Sequence, residues 1–334
     1  MQAFTLVSTS HQPMSLLSSA QLKMGNEMKP KCSLLVLTYN QEDFVAEAVK
    51  AALAQTYSPV EIIISDDASS DRTFSIAKNC VKDYDGPHEI VLNRNKQNMG
   101  VIAHTNALVA RATGDILIPA YGDDVSYPDR VESIVACFEA EGPLLVHSYA
   151  DPIDGSGNPT LSRYLKADFF RTTDALEVAT SLAHYLGASG AWSRALFDTY
   201  GPIQSPLVFD DHILGFRAAL ECRVSLIRKP LLAYRDGLGL SHSKKNGLDS
   251  ERNRQQRRRL LRQALAVFEE RQKDARLFGL SSNDPISRKL MAALDSTETR
   301  LAYYDGGVIN ALSKHPLGAG RDLIKEVLRD LRNR

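Results

Sequence analysis

The sequence predicts an α/β fold in which a doubly wound sheet is flanked by helices and followed by a helical C-terminal extension. Short apolar runs such as 32–37 recur along the first 150 residues, and segments with one apolar helical face alternate with them. Beyond Lys244 the texture changes to long, Arg-rich helical stretches, and this change predicts the extension.

The elements of the predicted sheet follow one another as strand, helix and strand. Residues 32–37 form a short apolar run typical of a buried parallel strand, and a helix with apolar side chains at helical spacing follows it. The series continues through strands 60–65, 89–92, 116–120 and 144–149 and the helices between them. Because ligands of such sheets bind beyond the carboxyl ends of the strands, the polar segments after these strands are where we expect the chemistry.

The chain divides into three predicted parts. Residues 1–30 are rich in Ser, Gln and Met without periodicity and predict a disordered lead, residues 31–243 form the main domain, and residues 244–334 form a basic helical region. The basic region holds 20 Lys/Arg against 12 Asp/Glu, whereas residues 1–243 hold 20 against 28. The acidic part indicates a site for cations, and the basic part indicates a contact surface.

Several classes of protein are disfavoured by composition. The four cysteines are far apart and form neither a zinc motif nor a disulfide framework. No apolar run reaches the ~20 residues of a membrane span, and residues 1–20 lack the pattern of a signal peptide. We therefore expect a cytoplasmic protein with no nucleic-acid partner.

Three pairs of adjacent aspartates lie at predicted strand ends or in a helix-capping loop: Asp66/Asp67, Asp123/Asp124 and Asp210/Asp211. Adjacent carboxylates at the rim of a parallel sheet repel each other unless a cation or a proton lies between them. Each pair alone also has a structural interpretation, since Asp is common in helix caps and turns. Three pairs together favour a functional site.

The order of several motifs resembles one enzyme family. The motifs are Leu35–Asn40, Glu61–Thr73, Asn98–Gly100 and Asp123–Arg130, with weaker matches at 209–217 and 229–235. This series resembles the family 2 inverting glycosyltransferases, almost continuously over residues 32–149. The resemblance implies a GT-A fold with a mixed, mainly parallel sheet, a nucleotide-binding half at 31–125 and an acceptor-side half at 126–243. It also implies transfer of a sugar from a nucleotide-diphospho-sugar donor, UDP- or dTDP-linked, to a glycan or lipid-linked acceptor.

The resemblance also assigns nucleotide-binding residues. It places Thr38, Tyr39 and Asn40 in the nucleotide pocket and gives Asp67 a hydrogen bond from the base edge. A fixed carboxylate recognises an N–H donor such as that of uracil. Arg94 and Asn98 are expected to contact ribose or phosphate.

A divalent metal site is implied next to the donor. Asp123 is expected to face the ribose or the metal, and Asp124 to bind the metal, Mg²⁺ or Mn²⁺, together with phosphate oxygens. His242 is a further candidate ligand, or alternatively an exposed loop histidine. Tyr121 stands where an additional aspartate is common in the family, so the sequence departs from the pattern at this position.

Asp211 is the predicted general base by resemblance, with Asp210 orienting its loop. An inverting transfer needs one carboxylate to remove the proton of the acceptor hydroxyl. The alternative is that both aspartates cap a helix from His212. Trp192 is expected either to stack on the acceptor sugar or to lie in the core.

The basic region allows two interpretations. A helix over 251–277 carries an apolar face with Leu260, Leu261, Ala264, Leu265 and Phe268 opposite Arg254, Arg258 and Arg262. Such a face can lie on a membrane near a lipid-linked acceptor, or pack on the main domain or on a second subunit, and we favour packing.

Two rival functions remain open. A sugar-phosphate nucleotidyltransferase should have a Gly-rich basic loop early in the chain, and residues 34–40 contain neither Gly nor Lys. A non-catalytic sugar-nucleotide-binding or scaffold protein is disfavoured by Asp67, Asp124 and Asp211, although Tyr121 keeps it open. The favoured function is a metal-dependent glycosyltransferase of polysaccharide biosynthesis.

Overall fold

The computed structural model describes residues 29–161, 173–237, 250–314 and 320–332. Its strands are β1 Cys32–Thr38, β2 Glu61–Asp66, β3 Glu89–Arg94, β4 Ile116–Tyr121, β5 Val125–Ser126, β6 Leu145–Ile153, β7 Ala191–Ser193 and β8 Val224–Arg235. Its helices are α1 Val45–Leu53, α2 Thr73–Val81, α3 Val101–Arg111, α4 Arg130–Glu141, α5 Ala175–Val178, α6 Ala195–Tyr200, α7 Asp210–Leu220, α8 Ser250–Leu277, α9 Pro285–Lys314 and α10 Gly320–Arg332. The predicted lead falls almost wholly outside the described residues.

The strands form one sheet in the order β3-β2-β1-β4-β7-β6-β8-β5. The first four of these run parallel to one another, while β7 is antiparallel to both β4 and β6, and β5 is antiparallel to β8. The predicted mixed, mainly parallel sheet is therefore confirmed. Each residue of β1 and β2 is buried, as expected for central strands covered by helices on both faces.

Apolar side chains of β1 alternate between two cores. Leu34 and Val36 pack on the side of α1 and α4, with Val49 and Ile134. Leu35 and Leu37 point to the opposite core, which also contains the buried residues of α7 and the second half of α8. Helices thus cover both faces of the sheet, and ligands can approach it at the ends of its strands.

Three element boundaries differ from the sequence prediction. β6 continues to Ile153, so Asp151 lies on a strand instead of in a loop, and its carboxylate accepts a hydrogen bond from the Tyr127 hydroxyl. The sequence also predicts separate strands at 224–228 and 231–234 and a helix at 213–220. The structure has one strand, β8, whose pairing with β6 is interrupted by irregularities, and α7 begins at Asp210, three residues before the predicted start. Pairing across the sheet, which local propensity does not reveal, sets the limits of β6 and β8.

The C-terminal helices pack on the main domain, which was the favoured interpretation of the basic helix. Leu261, Ala264 and Phe268 of α8 are buried, and Arg217 of α7 forms a buried ion pair with Asp274 of α8 at an Nε–Oδ2 distance of 2.9 Å. α9 is broken at Gly306 and Gly307, which have non-helical dihedral angles. α8 and α7 share one hydrophobic core. The domain boundary between residues 243 and 244 therefore stays a prediction from the sequence.

A membrane-spanning helix was not expected from the sequence. Over the described residues, no helix combines the length and the apolar character needed to cross a bilayer.

Candidate active site

The carboxyl ends of three neighbouring strands bring the predicted donor residues together. Thr38 ends β1 and pairs with Asp66 at the end of β2, while Leu37 pairs with Tyr121 at the end of β4. The loops that follow these three strands therefore leave the sheet at one edge. This edge is the expected ligand-binding edge of a parallel sheet.

Thr38, Tyr39 and Asn40 form the first of these loops. Thr38 is buried, with its hydroxyl donating to the Ser65 carbonyl oxygen at 3.2 Å. Tyr39 is 43% exposed, and Asn40 has a positive φ of 51°, a conformation that Asn tolerates better than most residues. The loop thus presents one aromatic ring to solvent next to the sheet edge, which is suited to stacking on a planar base.

Asp67 holds a neighbouring loop. Its carboxylate oxygens accept the side-chain amide of Asn95 at 2.8 Å and the backbone N–H groups of Met99 and Gly100 at 2.9 to 3.1 Å. These donors make two contacts with each oxygen of a carboxylate that is itself buried. The structure shows Asp67 as the anchor of residues 95–100, and its contact with a base remains a prediction.

Arg94 and Asn98 also make contacts within the protein. The Arg94 guanidinium lies 3.3 Å from the Asp66 carboxylate and donates to the Ser69 carbonyl oxygen. The Asn98 side chain accepts the N–H of Gly100. Both residues stabilise the loops at the sheet edge. Their contacts with ribose or phosphate remain predictions.

Asp123 and Asp124 occupy the turn between β4 and β5. The Asp124 carboxylate accepts the backbone N–H of Arg235 at 2.9 Å, and the Arg235 side chain donates to the Asp123 carbonyl oxygen at 2.8 Å. Burial raises the pKa of both carboxyl groups, and the charge of Asp123 raises that of Asp124 further. Two adjacent buried carboxylates of this kind bind a divalent cation favourably, because it removes their mutual repulsion.

This pair can bind Mg²⁺ or Mn²⁺ only together with further ligands, such as phosphate oxygens and waters. Within the described ranges, no three His, Cys, Asp or Glu side chains are grouped so that they could hold a metal ion. One or two carboxylates completed by phosphate oxygens and waters is the common arrangement for Mg²⁺ in nucleotide sites. The predicted third ligand, His242, lies outside the described residues.

Tyr121 links this turn to the second acidic pair. Its hydroxyl donates to Oδ2 of Asp210 at 2.9 Å, and Oδ1 of Asp210 accepts the backbone N–H of Asp211. Both oxygens of Asp210 are therefore engaged in holding the start of α7. The sequence identified Tyr121 as a departure from the family pattern but did not indicate this contact, which spans 89 positions.

Asp211 lies in the first turn of α7, where the helix dipole favours a negative charge. Its Oδ1 atom is buried and accepts no hydrogen bond from the described part of the chain, while 21% of the side chain remains exposed. Burial raises the pKa of this carboxyl group to about 7. Backbone hydrogen bonding at His212 opposes this increase in pKa. A carboxylate with one oxygen free of a donor and with a pKa near neutrality can both accept and release a proton.

Arg271 of α8 fixes the backbone around Asp211. The side chain is fully buried and donates hydrogen bonds of 2.5 to 2.9 Å to four backbone carbonyl oxygens, those of His212, Val178, Ala179 and Ser181. Its positive charge also lowers the pKa of Asp211 against the larger effect of burial. Arg271 was not predicted from the sequence. The signal that could have indicated it is that an arginine interrupts the apolar face from Phe268 to Ala275.

A cavity of about 680 Å³ lies between the start of α7 and α8, and Asp211 is one of the residues that line it. Most of its lining is apolar, and the two sides are formed by residues before and in α7 and by residues of α8, including Leu182, Leu186, Phe209, Leu260, Leu261, Ala264 and Phe268. Arg257 of α8 and Arg300 of α9 contribute charged groups. The C-terminal helices therefore form one wall of the space in front of Asp211.

Trp192 does not reach this space. It lies in β7, is fully buried, and its indole N–H donates to the Tyr185 hydroxyl at 3.2 Å. The interpretation of Trp192 as an acceptor-stacking residue is wrong in this structure, and its alternative, a core residue, describes it. A strand residue in the centre of a sheet packs between helices, and the sequence of the loop region around it did not reveal this strand.

Comparisons with known proteins agree with this architecture. The family model described as glycosyl transferase family 2 matches residues 33–201. A protein described as a glycosyltransferase, EpsE of Bacillus subtilis, is 40% identical over 110 residues, which are 33% of this chain and 39% of EpsE. EpsH of the same organism is 26% identical over 222 residues, covering 62% of this chain and 61% of EpsH. The chain thus spans less than two thirds of the length of these relatives.

Solved structures share the fold. A crystal structure of residues 1–349 of S. aureus TarS in complex with UDP-GlcNAc superposes with a TM-score of 0.55 at 16% identity, covering 91% of this chain and 89% of that chain. The mannosyltransferase PcManGT from Pyrobaculum calidifontis, in complex with GDP-Man and Mn²⁺, gives a TM-score of 0.53 at 16% identity over 91% of this chain and 88% of that chain. Since the family model covers half of the sequence and the fold is that of these enzymes, the chain belongs to glycosyl transferase family 2.

Proposed function

We propose that the protein is a metal-dependent, inverting glycosyltransferase that moves a sugar from a nucleotide-diphospho-sugar, UDP- or dTDP-linked, to a hydroxyl group of a glycan or lipid-linked acceptor. The observation that carries the proposal is the state of Asp211. Its carboxylate faces a cavity, lacks a hydrogen-bond donor on Oδ1 and has its pKa raised to about 7. These are the properties of a general base that works near neutral pH.

Asp211 performs the proton transfer in this proposal. An acceptor hydroxyl that enters the cavity donates its proton to the carboxylate while its oxygen attacks the anomeric carbon from the face opposite the leaving phosphate. Attack from that face inverts the anomeric configuration. Arg271 keeps the backbone of the base loop in place, and Asp210 is oriented by Tyr121.

The donor occupies the edge formed by the ends of β1, β2 and β4. Tyr39 would contact the base, and Asp123 and Asp124 are the residues that would hold Mg²⁺ or Mn²⁺ together with phosphate oxygens of the donor. When bound, the cation stabilises the departing nucleoside diphosphate as a Lewis acid. The ligands in the solved structures of the same fold, UDP-GlcNAc in one and GDP-Man with Mn²⁺ in the other, support a nucleotide-sugar donor without identifying its base.

The test begins with donor binding. The melting temperature is measured with UDP, dTDP, GDP and their sugars, with Mn²⁺ or with EDTA, on the full chain. A ligand at 100 times its Kd stabilises by about 2.7 kcal/mol, so the correct nucleotide should raise the melting temperature by several degrees in Mn²⁺ only. Equal stabilisation in EDTA would contradict the metal assignment.

The second step measures chemistry. With the donor identified, turnover on a panel of glycan and lipid-linked acceptors is followed, and the anomeric configuration of the product is determined by NMR. Inversion supports the role given to Asp211, and retention contradicts it. Tight nucleotide binding with no transfer to any acceptor would instead favour the non-catalytic alternative.

A further inference from the structure

Helix α10 presents a row of apolar side chains to solvent. Ile324, Leu328 and Leu331 are 60%, 50% and 57% exposed. Their spacing of four and three residues places them on one face of the helix. Three large apolar side chains in one exposed row form an unusual surface, because single exposed apolar residues are common but aligned ones indicate a contact.

A basic row lies beside the apolar one. Lys325, Arg329 and Arg332 have the same spacing, shifted by one position, and all are exposed. Of the acidic residues of α10, Glu326 and Asp330 are buried, and Asp322 is partly covered and accepts a hydrogen bond from Ser296. Asp322 and Glu326 also lie 3.8 and 3.5 Å from the cationic groups of Lys325 and Arg329. The outer surface of α10 is therefore apolar and cationic, and none of the carboxylates of α10 is exposed on it.

Contacts of the inner face prevent the helix from rotating to hide this row. Glu326 accepts hydrogen bonds from Arg257, Arg300 and Tyr304, and its pKa is lowered to about 2 by these donors and charges. Asp330 accepts a further hydrogen bond, from Tyr303. Turning the apolar row inward would break this network and separate the buried Glu326 carboxylate from its arginine partners.

From these observations we propose that α10 docks the protein on the surface of an anionic lipid bilayer. The apolar row enters the boundary between headgroups and acyl chains, and the basic row contacts lipid phosphates. A helix with separate apolar and Lys/Arg faces is suited to this position, and each basic residue near an anionic leaflet strengthens the attraction. The helix lies on the membrane and does not cross it.

Charge favours a lipid surface over a second copy of the chain. Two copies that met face to face through α10 would bring their basic rows side by side, because a two-fold contact uses the same patch on both partners. The carboxylates nearest this row, Asp322 and Glu326, are partly or fully covered and contact Lys325 and Arg329 of their own helix, so they are poorly placed to pair with the row of a second copy. An anionic bilayer supplies the opposite charge along the whole row.

The position of α10 connects docking to the candidate active site. Arg257 and Arg300, which bind Glu326 on the inner face, also line the cavity that contains Asp211. The cavity and the inner face of α10 therefore share two arginines, one from α8 and one from α9. Docking would bring the cavity close to the bilayer surface, where a lipid-linked acceptor would meet it. This consequence rests on the proposed function, but docking itself does not.

The experiment measures co-sedimentation of the full chain with vesicles of phosphatidylcholine alone or with 30% phosphatidylglycerol. We expect binding to the anionic vesicles to be at least about tenfold stronger than to the neutral ones, and to weaken in high salt. Leu328→Ser should lower binding about tenfold, and Lys325→Gln about fivefold. Matched controls are Leu277→Ser, an equally exposed leucine of α8, and Lys273→Gln, an exposed lysine with an i,i+3 acidic partner like Lys325.

Three results would overturn the proposal. The wild type fails to sediment with anionic vesicles, or Leu328→Ser and Leu277→Ser bind equally, or light scattering shows a dimer that Leu328→Ser dissociates. The last result would assign the face to a second copy. Melting temperatures of all four variants confirm that they fold, which is expected because each substituted side chain is exposed. Nucleotide-dependent melting on the same samples tests the proposed function separately.

Discussion

The two acidic pairs at the candidate active site are held by different parts of the molecule. Asp123 and Asp124 follow β4 directly, and Arg235 of the neighbouring β8 holds their turn through its backbone N–H and its side chain. Asp210 and Asp211 begin α7, and they are held from outside by Tyr121 and by Arg271 of a C-terminal helix.

The causes of the raised pKa values also differ between the two pairs. Burial raises the pKa of both Asp123 and Asp124, and for Asp124 the neighbouring carboxylate adds to the increase. For Asp211 burial is the main cause, and backbone hydrogen bonding at His212 and the nearby Arg271 charge oppose it, while burial and the Asp211 charge raise the pKa of Asp210. Both pairs thus contain carboxylates that repel each other, but only the second places a carboxylate at the cavity, where it is suited to accept a proton. The comparison predicts that substitutions at the two pairs affect different measurable steps.

The largest expected effect is that of Asp211→Asn. A positioned general base contributes roughly 10² to 10⁴ in rate, so transfer should fall at least about 100-fold while metal-dependent nucleotide affinity stays within a few-fold. Both quantities are measured on one preparation. Asp210→Asn is the matched control, because Asn removes the same charge but keeps one of the two hydrogen bonds that Asp210 accepts, from the Tyr121 hydroxyl or from the Asp211 N–H, and we expect a smaller loss. Near-normal turnover of Asp211→Asn would remove this residue from the mechanism.

The same variant has an expected pH signature. The pKa of Asp211 in the folded protein, about 7, is above its ordinary value of 3.8, so the proton is bound more tightly in the folded state. Its contribution to stability is complete below the ordinary pKa and is lost as pH rises through about 7. Asp211→Asn should therefore gain melting temperature relative to wild type between pH 5 and pH 8. Wild-type turnover should rise with pH up to about 7, as the carboxylate forms beside Asp210, His212, Tyr185 and Arg271. A variant that loses relative stability at pH 8 would indicate a fixed partner for the carboxylate.

A substitution at the other pair should affect binding first. Asp124→Ala removes one of two carboxylates proposed to hold the cation, so the Mn²⁺-dependent part of nucleotide stabilisation, about 2.7 kcal/mol at 100 times Kd, should disappear. Any stabilisation that remains in EDTA should be unchanged. If Asp124→Ala lost turnover but kept Mn²⁺-dependent binding, the two pairs would not divide their roles as proposed.

The sequence predicted the strands around the first pair, but not the contacts that hold either pair. The strand ends at Thr38, Asp66 and Tyr121 follow from apolar runs of five to seven residues, and the resemblance covers them almost without interruption. The contacts of the first pair with Arg235 span 111 and 112 positions, and those around the second pair span 59 and 89, which no local pattern reveals. Trp192 shows the same limit, since its burial depends on which strands neighbour β7.

Arg271 provides the test of this long-range support. Arg271→Lys keeps the charge but can reach at most three of the four carbonyl oxygens, so the base loop should shift. We expect kcat to fall about tenfold with the KM for donor unchanged, because small displacements of a catalytic group are costly. The matched control is Arg217→Lys, another buried Arg→Lys change at the contact of α7 and α8, which leaves the base loop untouched. Both should lose about 1 to 3 kcal/mol of stability. Equal effects of the two variants on kcat would reduce Arg271 to a structural residue.

The smallest expected effect concerns Tyr121, the residue that connects the two pairs. Tyr121→Phe removes one hydrogen bond of 2.9 Å to Asp210 and leaves the ring in place. Such a bond contributes about 1 kcal/mol, so turnover should fall about fivefold, with nucleotide binding unchanged. Tyr127→Phe removes a similar hydrogen bond, to Asp151, from the strand next to the metal pair, and therefore controls for the loss of a buried hydroxyl. If Tyr121→Phe weakened Mn²⁺-dependent binding more than turnover, Tyr121 would act on the metal pair, as the aspartate common at its position does by resemblance. If only turnover fell, the Tyr121 side chain would belong to the second pair, because its hydroxyl orients the carboxylate next to the base, whereas its carbonyl oxygen accepts the N–H of Asp124 in both variant and wild type.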